Sequence, residues 1–95
     1  MPLEAGVLEV RLFLRSSQSL KDKRRVVRSI KDRVSARFNV SVAEVDDQDV
    51  WQSIVLGFAA VGSDSEIVRS ELETILNQLR VHPEAELCDY DLQIL

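Results

Sequence analysis

The spacing of apolar residues alternates along this chain between a period of two and a period of about 3.6, and the order of those switches restricts the possible folds more than any motif does. Residues 7–14, Val-Leu-Glu-Val-Arg-Leu-Phe-Leu, put Leu8, Val10, Leu12 and Leu14 on one face and Glu9, Arg11 and Phe13 on the other, as in a half-buried strand. Ser19-Leu20-Lys21-Asp22 has the form of a capping box, with a hydroxyl placed to accept amides of a first helical turn. A helix is therefore predicted from Leu20 to about Arg37, with Leu20, Val26, Val27, Ile30 and Val34 in one stripe. Residues 38–46 are rich in β-branched side chains and return to a period near two, which predicts a second strand.

Asp46-Asp47-Gln48-Asp49 is a polar turn, and Val50 to Val61 beyond it is apolar on both parities, as in a central strand covered on both faces. Gly62-Ser63-Asp64-Ser65-Glu66 ends that strand and caps a second helix, whose Val68, Leu72, Ile75 and Leu79 recur at helical spacing up to Arg80. His82-Pro83 breaks the chain. Cys88, Tyr90, Leu92 and Ile94 then alternate with Asp89, Asp91 and Gln93 in a last, edge-like strand. The order βαββαβ with right-handed crossovers predicts an α+β, ferredoxin-like split βαβ fold. Its four-stranded antiparallel sheet has the order 4-1-3-2 and carries both helices on one face. At 95 residues the chain is too short for two independent cores, so residues 1–95 form a single domain.

Several classes of function lack their parts. The longest apolar run, Ile54 to Val61, falls well short of the roughly 20 residues of a membrane-spanning helix. The first residues show no basic stretch followed by an apolar one, so no export signal is read and the cytoplasm is the expected location. One cysteine and one histidine cannot build a His/Cys metal cluster. No nucleophile and base can be paired, and no glycine-rich phosphate loop is present. Acylphosphatase chemistry on this fold would need an arginine in a glycine-rich loop, where this chain has Arg15-Ser16-Ser17-Gln18, and a third-strand asparagine, which is absent. A non-enzymatic domain without cofactor or metal is expected, and its function must come from surfaces.

Charge is the most informative composition. The net charge is −4, yet residues 20–38 hold eight bases and two acids, a local excess of +6 that leaves −10 over the remainder. Lys21, Arg24, Arg25 and Arg28 cluster opposite the apolar stripe in the first half of the helix, where the macrodipole disfavours each cation by about 0.3–1 kcal/mol. The second helix follows the dipole rule instead, with Asp64 and Glu66 at its start and Arg80 at its end. A local rule broken without compensation marks a functional surface, and phosphate is the natural partner of such a cluster. RNA is the sharper expectation. The plainer one is a solvated helix face, balanced by acids elsewhere in the fold or on a partner.

The uncovered face of the sheet offers a second candidate. Phe13 lies there between Arg11 and Arg15, an arrangement able to stack a base. Small Gly57 and Ala59 suit close helix packing, which would send Ile54, Leu56, Phe58 and Ala60 to the open face beside Phe13. Leu56 to Val61 is similar to the start of the RNA-recognition octamer at four of six positions, but Leu56 replaces its cation and Ala60 its second aromatic. An exposed patch of Phe13, Ile54, Leu56 and Phe58 exceeds what a monomer usually exposes, so a homodimer formed sheet to sheet is the better expectation for this face. Glu44, Asp46, Asp47 and Asp49 around the polar turn are read as solvated or as capping a chain reversal, with a hard cation as the alternative. Trp51 is read as sheet-end packing or a partner anchor, His82 as a turn residue and Cys88 as a small core or edge residue.

Three segments, Ser19-Leu20-Lys21-Asp22-Lys23-Arg24-Arg25, Arg37-Phe38-Asn39-Val40-Ser41-Val42-Ala43-Glu44-Val45-Asp46 and Asp49-Val50-Trp51-Gln52, resemble the bacterial YlxP-like family, a domain of unknown function. The resemblance covers nearly the whole chain and carries over Leu20, Lys21, Lys23, Arg24, Phe38, Asn39, Glu44, Asp46, Asp49, Trp51 and Gln52, with Val50 where leucine is common. It implies a small ferredoxin-like protein. Because members are often encoded beside translation-initiation and ribosome-maturation factors, it also implies ribosomal or other structured RNA as partner. The contrasting expectation is a protein-interaction or oligomerisation module with no nucleic-acid contact.

Overall fold

The computed structural model describes residues 2–95. Ser19 caps the first helix as its spacing predicts: its Oγ accepts the Asp22 N–H at 3.1 Å, and the Asp22 carboxylate reaches back to the Gln18 N–H at 3.1 Å. Asp64 caps the second helix by accepting the Glu66 N–H at 2.9 Å. The elements run β1 (Glu4–Phe13), α1 (Leu20–Arg37), β2 (Val40–Asp46), β3 (Ser53–Gly62), α2 (Ser65–Arg80) and β4 (Glu86–Ile94). All pairings are antiparallel and the sheet order is β2-β3-β1-β4, which is the ferredoxin-like arrangement. No described helix is long and apolar enough to cross a membrane.

One core lies between the sheet and the helix layer. Leu8, Val10 and Leu12 of β1 meet Val26, Val27, Ile30 and Val34 of α1 and Val68, Leu72, Ile75, Leu76 and Leu79 of α2. α1 lies over the edge strand β2, while α2 spans β1, β3 and β4. α2 comes close to β1 at Gly6, where an added Cβ would stand 2.9 Å from both Ile94 Cδ1 and Val68 Cγ1 and 3.0 Å from Leu72 Cδ1. Gly6→Ala is therefore expected to cost about 1–3 kcal/mol, read as a lower denaturation midpoint at unchanged m-value.

The faces of β3 are the reverse of the expected ones. Residues directly opposite in antiparallel strands share a face, and the register sets Phe58 opposite Leu8, Leu56 opposite Val10 and Ile54 opposite Leu12. Ile54, Leu56, Phe58 and Ala60 are consequently core residues, with Phe58 only 1% exposed. Gly57, Ala59 and Val61 take the open face, so β3 is covered by helices on one side only. The apolar run carries no alternation by which to choose the face; the pairing with β1 chooses it.

Candidate functional site

That reversal dismantles the open-sheet candidates. Ile54, Leu56 and Phe58 provide neither a stacking platform nor a dimer patch, because all three are buried beneath the helices. Arg11 and Arg15 do flank Phe13, but neither guanidinium is free: Arg11 pairs with Asp47 at 2.6 Å and Arg15 with Glu86 at 2.7 Å. The Arg11 side chain runs from β1 across β3 to the end of β2, over Val55, which explains why Val55 is 3% exposed on an otherwise uncovered face. Phe13 alone of the six remains available, at 37% exposure.

The polar turn proves to be a clamp. Asp47 adopts a left-handed φ of 54°, a conformation aspartate tolerates better than most residues, and Val50 N–H closes the turn on its carbonyl at 3.0 Å. Its carboxylate accepts from Ser53 Oγ at 2.7 Å and from Arg11, and these two hydrogen bonds, in that order, hold it below the usual carboxylate range. Its carbonyl also accepts from Nζ of Lys23. Lys23 is 1% exposed, the least expected burial in the molecule, and its Nζ lies 3.0 Å from Glu44 Oε2 in an ion pair that lacks hydrogen-bond alignment. The spacing already contained this: Lys23 stands three, four and seven residues before Val26, Val27 and Ile30, inside the apolar stripe. Its charge alone argues against burial there.

Lys23 thereby fixes the first turns of α1 to the β2–β3 hairpin, and Gln52 Nε2 ties that hairpin to the Arg15 carbonyl at 3.4 Å. One end of the molecule so gathers the start of α1, the loop before it and Trp51. Trp51 is 52% exposed and is not sheet-end packing. His82 is the turn residue expected, its Nδ1 accepting the Glu84 N–H at 3.0 Å; burial first, and then Arg33, lower its pKa. Cys88 sits exposed at a bulge in β4.

Lys21, Arg24, Arg25 and Arg28 are all exposed on α1, but they are not equivalent. Arg25 forms a two-pronged contact with Glu84, at 2.6 and 3.4 Å, which raises its pKa and lowers that of Glu84. Among the described residues no carboxylate lies within 4.0 Å of Lys21, Arg24 or Arg28. With Lys31 they form a row at i, i+3, i+7 and i+10 along one flank of the helix.

Residues 5–92 match the model of a family described as a protein of unknown function, DUF503. The chain belongs to that family. It is 38% identical over 81 residues to the uncharacterised protein YlxP of Bacillus subtilis (strain 168), an alignment covering 85% of this chain and 88% of that one. Among solved structures it is similar to the de novo designed protein Foldit4, with a TM-score of 0.54 at 19% identity over 97% of both chains. That likeness is one of fold alone.

Proposed function

We propose that this is a non-enzymatic RNA-binding domain, which contacts phosphates through Lys21, Arg24 and Arg28 on the exposed flank of α1. The carrying observation is the division among its cations. Among the described residues Arg11, Arg15, Lys23 and Arg25 have a carboxylate partner and the other eight cations have none, and of those eight Lys21, Arg24, Arg28 and Lys31 line up on one flank of α1 in a chain of net charge −4. Three unpaired cations in the first half of a helix repel one another and oppose its dipole, and a polyanion relieves both penalties. The exposed Trp51 at the same end supplies a ring on which an unpaired base can stack. The family resemblance favours ribosomal or other structured RNA over other polyanions.

The test is binding to ribosomal RNA at several salt concentrations, with quenching of Trp51, the single tryptophan, as the signal. Wild type is expected to show log K falling with log salt at a slope of about −2 to −3, as for three phosphate contacts. Lys21→Glu/Arg24→Glu/Arg28→Glu is expected to lose about 100-fold in affinity and most of that slope while remaining folded. Equal binding by both proteins, or none by either, discards α1 as an RNA surface. Association with ribosomal particles that survives RNase digestion would indicate a protein partner instead.

A further inference from the structure

Gly57 and Ala59 are residue types that let a helix approach a sheet closely, and both lie on the face of β3 that no helix of this chain covers. Gly57 stands between Glu9 and Ala43, and Ala59 between Val7 and Ser41, so small side chains floor a shallow groove along the central strands. Val7, Ser41, Ala43 and Val45 form its sides, and a Cβ on Gly57 would already come within 3.1 Å of Val45.

The β4 side of this face is acidic and uncompensated. Glu9 stands directly opposite Asp91, a like-charged cross-strand pair of the kind sheets avoid. Asp89 stands opposite Arg11, the one cation in register to neutralise it, yet that guanidinium is carried away to Asp47. Among the described residues no cation lies within 4.0 Å of Glu9, Asp89 or Asp91. The carboxylate border repels nucleic acid, and a second copy docked face to face would bring another acidic row.

We infer that the open sheet face seats a basic amphipathic helix of a protein partner, its apolar side against Gly57 and Ala59 and its Lys/Arg flank along Glu9, Asp89 and Asp91. This surface lies across the sheet from α1, so it is independent of the RNA reading and can be occupied at the same time.

The test uses a labelled synthetic helix of about 18 residues, with leucines at i, i+3, i+4 and i+7 and lysines between, read by fluorescence anisotropy. Leucine/glutamate and serine/lysine counterparts serve as controls. Wild type is expected to bind the leucine/lysine helix at least about tenfold more tightly than either control. Ala59→Arg and Asp89→Lys/Asp91→Lys are each expected to weaken it by about tenfold, whereas the triple glutamate variant of α1 binds as wild type does. Ala59 is exposed, and Ala43→Gln on the neighbouring strand provides a second block should Ala59→Arg disturb folding. Equal binding of the serine/lysine peptide would make the association purely electrostatic and overturn the proposal. So would full binding by both groove variants, or sedimentation showing a wild-type dimer that Ala59→Arg dissociates, since a second copy would then be the occupant.

Discussion

Phe58→Ala is expected to destabilise the fold by about 3–5 kcal/mol in equilibrium denaturation. Phe58 is 1% exposed and packs with Leu8, which stands opposite it on β1, so truncation leaves a cavity that neighbouring strands and α2 cannot collapse into. For a domain of this length, that loss lowers the midpoint of thermal unfolding by roughly 15–30 °C. Phe58→Leu, which keeps most of the volume, should cost about 1 kcal/mol and leave any RNA binding unchanged. A ring on the open face would behave in the opposite way: its removal would scarcely affect stability but would weaken a stacked base. A loss below about 0.5 kcal/mol for Phe58→Ala would therefore return Phe58 to the open face.

Lys23→Met is expected to cost about 2–3 kcal/mol, although methionine suits the apolar stripe better than lysine does. The loss comes from what the lysine leaves behind: the Glu44 carboxylate without its counter-charge and the Asp47 carbonyl with only the Val50 N–H of its two donors. Glu44 keeps 21% of its side-chain surface exposed and can partly rehydrate, which holds the figure below that of a fully enclosed pair. Adding Glu44→Gln should restore part of the stability, and the double-mutant cycle should show a coupling of about 1 kcal/mol or more. Additive effects would mean that the two groups do not act as a pair. Because Lys23 joins α1 to the β2–β3 hairpin, hydrogen exchange at the hairpin amides should also accelerate beyond the global change.

Much of this architecture is legible in the amino acids. The capping box at Ser19, the stripes of α1 and α2 and the alternation of β1 each state a period and a face, and all agree with the structure. β3 could not be read that way. Ile54 to Val61 offers apolar residues to both sides, and only its register against β1, set across the sheet, decides which side is buried. The small Gly57 and Ala59 suggest close packing against the chain's own helices, and that expectation fails, because both lie on the face no helix covers. Pairings across long separations were equally hidden: nothing near Arg25 in sequence marks Glu84 as its partner, yet that contact removes Arg25 from the free cations of α1. Lys23 is the intermediate case, its spacing pointing inward and its charge pointing outward.

The same acidic row limits how copies of this protein can associate. β4 is an edge strand, and its outer backbone groups would pair readily with another strand. Two-fold antiparallel pairing of β4 with itself keeps like faces together, so a register centred on Tyr90 sets Asp89 against Asp91 twice, and one centred on Asp91 sets that residue against itself. Registers that use most of the strand thus meet a carboxylate with a carboxylate. The edge is guarded against its own copy in the crowded cell, a protection from sheet-propagated aggregation that vanishes for strands bearing lysine or arginine at alternate positions.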